Sequence, residues 1–274
     1  MWTCTLDVPA AAGPRAEALV SALGVNGFQR FDADTGHTEG RVALRFWWDR
    51  PDLPAAVRRF AARPGRSLAV APADPVADWT GGPIGRRFFV VGPADDAPVP
   101  AGRVPLRLDP SRGFGDGSHP TTALCVSRLE AAAARRRGLG RVLDVGTGSG
   151  VLAVVAALLG ARQVVATDLD PLARAAARDA AAAHGLRFPV RRALPPGPFD
   201  LVVANLTLQP VLSLASALAG RLAPGGTLWV SGFPRTAEND VAAALSAAGL
   251  RVGRPHHRAG WSAVPARAFP PRTP

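Results

Sequence analysis

Lysine and tyrosine are absent from this 274-residue chain, isoleucine and methionine occur once each, and cysteine only twice. With no lysine, the formal net charge of +11 rests on arginine alone. That skew, beside abundant Ala, Gly and Pro, matches a mutational bias of the genome rather than selection for arginine chemistry. Cys4 and Cys125 make neither a metal-ligand spacing nor a disulfide framework, which fits a reduced, cytoplasmic setting. No basic segment followed by an apolar run opens the chain, so no signal peptide is read. Residues 201–220 carry no charge, but Asn205, Gln209 and Pro210 interrupt them. A strand, a loop and a helix explain that stretch better than a membrane span. An apolar fraction of 47% argues against disorder. The arginines are unevenly placed: 9 against 8 acids in residues 1–75, and 23 against 13 beyond them. This excess reads either as weak RNA contact through an Arg-rich surface or as a solvated surface. The second fits the whole-chain skew better.

What is present is concentrated in residues 141–150, R-V-L-D-V-G-T-G-S-G, with an apolar, helix-like run behind them. A buried parallel strand passes at once into a turn with glycine at 146, 148 and 150. Such glycines let the backbone approach a ligand and supply positive φ where a side chain would clash. The helix start adds unpaired N–H groups. A dinucleotide fingerprint, G-x-G-x-x-G, would need glycine at 151, where Val151 stands. Instead, Asp144 lies two residues before the first glycine, and a second acid, Asp168, ends the next apolar run, Q-V-V-A-T-D. The pattern resembles the S-adenosyl-L-methionine site of class I methyltransferases. That resemblance implies Asp144 near the methionine amino end and Asp168 on the ribose hydroxyls. A glycine-rich turn in some other α/β protein is the plainer alternative.

Residues 1–75 predict strands at 2–8, 25–32, 41–49 and 66–71 and helices at 14–23 and 52–62. The order βαββαβ is that of a small ferredoxin-like α+β domain. Trp47 and Trp48 put one ring on each face of their strand. Residues 76–104, dense in Pro, Gly and Asp and broken by R-R-F-F-V-V, read as a linker with one embedded strand. Residues 105–274 alternate strand and helix, which predicts a Rossmann-like, mainly parallel seven-stranded sheet covered on both faces. Helices are expected at 151–160, 171–184, 211–222 and 236–248. Strands are expected at 163–168, 188–191, 199–205 and 227–232, with 250–254 and 262–266 closing as a hairpin. Ligands of such sheets bind at the carboxyl ends of strands, where Gly146, Asp168 and Asn205 all fall.

Residues 106–124, L-R-L-D-P-S-R-G-F-G-D-G-S-H-P-T-T-A-L, predict a strand, a glycine-rich loop and a helix opening at Pro120 and running to about Arg136. A loop of this length carrying Phe114 and His119 is more than a connection. Phe114 suits stacking on an adenine or capping a pocket. Thr122 suits a cofactor hydroxyl contact or a helix-start role. His119 reads as a substrate-side group or a hydrogen bonder beside the helix start.

On these residues, the chain resembles the bacterial ribosomal protein L11 methyltransferase family over residues 106–268. The resemblance rests on G-F-G-D-G-S-H-P-T-T, V-L-D-V-G-T-G-S-G-V-L-A, V-A-T-D-L-D-P-L-A, F-D-L-V-V-A-N-L and L-A-P-G-G-T-L-W-V-S-G-F. It implies cofactor contacts at Thr122, Gly146, Asp168 and Asn205. With the readings above, the candidate cofactor set is Phe114, Thr122, Asp144, Gly146, Gly148, Asp168 and Asn205. Asn205 is also the candidate catalytic residue, and no metal is expected. The resemblance further implies methylation of amino groups of ribosomal protein L11, gripped by a ferredoxin-like N-terminal domain, and a cytoplasmic monomer is expected. Two features depart from the family pattern. Asp78-Trp79 runs directly into T-G-G-P-I-G where a helix is usual, and Asp116 replaces a small hydroxyl residue. Two alternatives stay open: a related methyltransferase with another protein lysine or a small molecule as substrate, and an inactive cofactor-binding paralogue. The intact Asp144, Gly146, Gly148, Asp168 and Asn205 weigh against the second.

Overall fold

The computed structural model describes residues 2–22, 28–31, 38–48, 52–72, 81–92, 98–109, 117, 119–135 and 138–269. The chain divides into two units, Met1–Asp78 and Trp79–Pro274.

The first unit runs β1 (Trp2–Pro9), α1 (Gly13–Ala22), β2 (Phe28–Phe31), β3 (Arg41–Trp48), α2 (Ala55–Ala61) and β4 (Ser67–Pro72). Its strands form an antiparallel sheet in the order β2-β3-β1-β4. That is the split βαβ topology. The period of two along a strand builds the core: Cys4, Leu6 and Val8 lie opposite Phe46, Leu44 and Val42, all buried. Ala16 and Val20 of α1 and Val57 of α2 are buried as well. The side chains of Trp47 and Trp48, expected on opposite faces, lie outside the described ones.

The second unit opens with β5 (Gly82–Ile84), β6 (Phe88–Val91) and β7 (Val104–Arg107), which form a small sheet in that order. This corrects the reading of residues 76–104 as a linker with one strand. Ile84, Phe88 and Val90 are buried with Leu106 and Leu108 in the core of the unit. The misleading signal was Gly82-Pro83, which occupies an edge strand where a missing N–H costs little. Glu130, from the helix that follows, fixes the β5–β6 turn by accepting the N–H groups of Arg86 and Arg87 at 2.9 and 2.8 Å.

Next come α3 (Pro120–Arg135), β8 (Arg141–Val145), α4 (Val151–Leu158), β9 (Gln163–Thr167), α5 (Pro171–Ala183), β10 (Val190–Arg191) and β11 (Phe199–Asn205). The chain ends with α6 (Leu208–Ala219), β12 (Leu222–Pro234), α7 (Glu238–Ala247), β13 (Arg251–Val252), β14 (His256–Arg258) and β15 (Trp261–Arg267). The large sheet has the order β10-β9-β8-β11-β12-β15-β13. It is parallel from β10 to β12 and antiparallel at β15 and β13. An eighth strand, β14, joins the seven expected by pairing with β15. Its sequence shows no apolar alternation; the two-residue turn Ala259-Gly260, with φ of 46° and 79°, makes the hairpin.

Residues that alternate along β8 and β11 face different layers. Val142, Leu201 and Val203 pack with α3, α4 and α5, whereas Leu143, Val145, Val202 and Ala204 pack with α6 and α7. Helix α6 begins three residues before the expected start, because Pro210 sits in the first turn, where no N–H is needed. Pro224-Gly225-Gly226, ahead of the strand expected at 227–232, lies within β12, with Gly225 at φ 71°.

A chain beginning at Trp79 keeps the whole second core and should melt cooperatively by circular dichroism. One beginning at Gly102 loses the buried Ile84, Phe88 and Val90. At about 1.5–3 kcal/mol per side chain, that removes roughly 5–9 kcal/mol of burial, comparable to the whole stability of a domain. A cooperative melt of the Gly102 chain would show the three-stranded sheet to be dispensable.

Candidate functional site

Between β8 and α4 the three glycines take φ of 70°, 54° and 85°, a bend that non-glycine residues rarely follow. The N–H groups of Gly146 and Thr147 donate to the Thr167 carbonyl at 2.8 and 2.9 Å, which ties the turn to the end of β9. Beyond β9, the Asp168 carboxylate accepts the Gly148 N–H on Oδ2 and the Asp170 N–H on Oδ1, both at 3.0 Å. Asp168 thus braces the glycine turn, and each of its oxygens keeps a second lone pair for another donor. The glycines serve different ends. A Cβ at Gly150 would sit 2.7 Å from Ala177 Cα, so the third glycine lets α4 and α5 meet closely. A Cβ at Gly146 would run into the tip of Leu206.

Asp144 is fully buried. Its Oδ2 accepts the Thr147 hydroxyl at 2.6 Å, but Oδ1 has no hydrogen-bond partner among the described residues. Burial pushes the carboxyl up to about 7, against the lowering effect of the Thr147 bond. The nearby charge of Asp168 adds to the rise, and the Ala153 N–H at the start of α4, which makes no regular hydrogen bond to it, lowers it slightly.

Strand register places the next group. Asp144 lies opposite Val203, so alternation puts Asn205 on the same face of the sheet. Helix α3 covers that face. At its first turn, the fully buried Thr122 accepts a long hydrogen bond from Asn205 Nδ2, 3.5 Å. Asn205 Oδ1 is buried and has no donor among the described residues. Cys125, one turn along α3, is a neutral thiol: burial, and then the charge of Asp144, push it up to about 12.

Five candidates therefore converge at the carboxyl ends of β8, β9 and β11: Asp144, Gly146, Gly148, Asp168 and Asn205. Thr122 meets them from α3. Phe114 lies outside the described residues, as do Asp116 and the Asp78-Trp79 pair. His119 is buried, and of its two expected roles the bonding beside the helix start is the one seen. Its Nδ1 lies 2.7 Å from the Thr121 hydroxyl and accepts the Thr121 N–H at 3.3 Å. Its ring meets Trp261 edge-on, centroids 4.7 Å apart. Burial lowers this imidazole to about 4.

Sequence reasoning missed three contributors. Thr147 passed as a spacer in the turn, although a hydroxyl three residues after a buried acid is a usable signal. Trp261 stands far away in sequence and gave none. Gly232, at φ 101°, admits the Leu206 backbone, which a Cβ there would strike. The arrangement offers two buried oxygen acceptors lacking donors, next to bare glycine backbone and a carboxylate with spare lone pairs. It suits a ligand with a cationic or N–H-bearing end and a diol. Among the described residues, no group of three His, Cys, Asp or Glu could hold a metal ion, and no helix is long and apolar enough to cross a membrane.

The family model described as ribosomal protein L11 methyltransferase (PrmA) matches residues 76–268. A protein named ribosomal protein L11 methyltransferase from Azotobacter vinelandii is 45% identical over 170 residues, which is 60% of this chain and 57% of that one. Its namesake from Pseudomonas aeruginosa is 43% identical over 189 residues, 67% of this chain and 63% of that one. The chain thus spans about three fifths of the length of these relatives. The namesake from Thiobacillus denitrificans is 38% identical over 214 residues, 77% of this chain and 69% of that one. A crystal structure of a ribosomal protein L11 methylase from Lactobacillus delbrueckii subsp. bulgaricus superposes with a TM-score of 0.62 at 29% identity, covering 70% of this chain and all of that one.

The two buried titratable groups act on stability in opposite directions. Folding raises the Asp144 carboxyl from an unfolded value near 4, so the folded state holds a proton that the unfolded chain releases. This group therefore costs stability increasingly as pH rises from about 4 to about 7. Folding lowers His119, so that group costs stability as pH falls from about 6.5 to about 4. In urea unfolding, Asp144→Asn should gain on the parent steadily between about pH 4 and pH 7. A difference that does not change with pH would contradict the buried, unsatisfied carboxyl.

Proposed function

Since the chain belongs to the ribosomal protein L11 methyltransferase family, we propose that it transfers methyl groups from S-adenosyl-L-methionine to amino groups of ribosomal protein L11. The observation that carries this reading is the pair of buried acceptors, Asp144 Oδ1 and Asn205 Oδ1, on adjacent strands with no donor among the described residues. A site that buries such atoms is arranged for a partner that brings the missing donors.

Asp144 would hold the amino end of the cofactor, Asp168 its ribose hydroxyls, and the Gly146–Gly148 backbone its flank, with Thr122 beside them. Phe114, outside the described residues, is the proposed stacking partner of the adenine. Bound there, S-adenosyl-L-methionine supplies a methyl group on a cationic sulfur, electrophilic toward an unprotonated amine. Asn205 orients that amine: its Oδ1 accepts one N–H and leaves the nitrogen lone pair pointing away from the amide. Deprotonating a free lysine at pH 7 costs about 4.6 kcal/mol, and an α-amine about 1 kcal/mol. Burial lowers both costs by disfavouring the ammonium. Holding the neutral amine in line then removes most of the remaining barrier.

Residues 1–75, within the first unit, grip the protein substrate, and residues 105–274 carry the chemistry. Strands β5 and β6 belong structurally with the second part. A different protein lysine as substrate is the second reading. It draws on the family match starting at residue 76, which leaves all but the last three residues of the first unit outside it.

Asp168→Ala should weaken S-adenosylhomocysteine binding by about 10- to 150-fold, the worth of a charge-assisted hydrogen-bond pair. Unchanged affinity in calorimetry removes Asp168 from the site. Radiolabelled methyl should enter L11 on ribosomal proteins from a strain lacking this gene when the full chain is added. A chain beginning at Trp79 should bind S-adenosylhomocysteine but label L11 far more slowly. Equal labelling would show that residues 1–75 are not the recognition element. If neither chain labels L11 while both bind S-adenosylhomocysteine, the second reading replaces the first.

A further inference from the structure

At the other end of the large sheet, α3, β11, β12, β14 and β15 line a partly open cavity of about 490 Å³. Two of its lining residues, Leu201 and Thr227, pair with each other four residues before the Asn205–Ser231 pair. That places them about 13 Å along the strands from Asn205, at about 3.3 Å per residue. The methyl-transfer reading leaves this cavity unused.

Its walls carry Arg128, Arg135, Arg267, Trp229 and His256 over the apolar side chain of Leu201. Among the described residues, no carboxylate lines it, and none of the three arginines forms an ion pair. The nearest acid on α3, Glu130, is turned away onto the backbone of Arg86 and Arg87. Arg128 Nε is buried without an acceptor, while its Nη1 donates to the His256 ring at 3.1 Å. Its guanidinium carbon lies 5.9 Å from the centre of the Trp229 ring. Burial and the charges of Arg135 and Arg86 hold the Arg128 guanidinium below its usual range. Cations lining one cavity, one of them with an unmade hydrogen bond, repel one another, and an anion between them relieves that repulsion.

We propose that this cavity binds a nucleotide, with the phosphate on Arg128, Arg135 and Arg267 and the base against Trp229. Guanidinium forks match phosphate oxygens two at a time, and an indole offers a stacking face to any base. The volume lies within the roughly 300–1,000 Å³ of small-molecule sites. A bare anion would leave the Trp229 and Leu201 wall uncovered, and an apolar ligand would leave three guanidinium groups unneutralised.

The test is calorimetry of the full chain with uridine 5′-monophosphate, S-adenosylhomocysteine being present in excess to fill any adenosine site at the glycine turn. Binding is expected, with inorganic phosphate binding much more weakly. Arg267→Glu and Arg135→Glu, each at the cavity wall and remote from the glycine turn, should weaken it roughly tenfold or more, the loss of one charge-assisted contact. A 5′-phosphorylated tetrauridylate identifies the source. Much tighter binding than the mononucleotide points to an RNA end and equal binding to a free nucleotide, and either supports the site. No uridine nucleotide binding, binding abolished by S-adenosylhomocysteine, binding untouched by both substitutions, or phosphate binding as tightly as the nucleotide would each overturn it.

Discussion

A carboxyl group fully enclosed in the middle of a parallel sheet, with one oxygen bonded and the other without a hydrogen-bond partner among the described residues, constrains everything around it. Asp144 gains its one side-chain hydrogen bond because the glycine turn doubles back and brings the Thr147 hydroxyl within 2.6 Å. That reversal needs positive φ at Gly146, Gly148 and Gly150. Asp168 then stabilises the turn by accepting the Gly148 N–H. On the facing helix, Cys125 stays a neutral thiol partly because Asp144 is near. Burying an acceptor without a donor is costly, so its persistence in a close-packed core marks a place arranged for a ligand rather than for stability alone.

Helix α3 joins the two ends of the second unit. Thr122 in its first turn touches Asn205, and Arg128 and Arg135 farther along line the arginine-walled cavity. From Thr122 to Arg135 the helix spans about 20 Å at 1.5 Å per residue. One rigid element therefore forms a wall of both sites. The parallel sheet supplies the rest, because register fixes which residues share a face and a row.

Much of this was legible in the sequence, for identifiable reasons. In Phe199–Asn205 the apolar run L-V-V-A stands between Asp200 and Asn205, and the strand has the expected bounds. The βαββαβ order of the first unit follows from alternation and helix stops alone. The glycine turn and its two acids were readable because backbone geometry demands particular residue types there. What failed was whatever depends on distant partners. Gly82-Pro83 looked like linker because nothing local shows that Glu130, more than forty residues on, closes the adjoining turn. The strand His256–Arg258 has no pattern of its own and exists through its pairing with β15. The contact of Trp261 with His119 joins residues that no spacing rule connects.

The most direct measurement is the titration of the Asp144 carboxyl by carbon-13 NMR in the full chain, with and without S-adenosylhomocysteine. In the free protein the carboxyl should titrate at about 7. A ligand ammonium against Oδ1 should bring it down by about 1–3 pH units, the usual effect of an adjacent opposite charge. A titration left where it was by a saturating ligand would contradict the account, since the bare oxygen would then face nothing that the ligand brings.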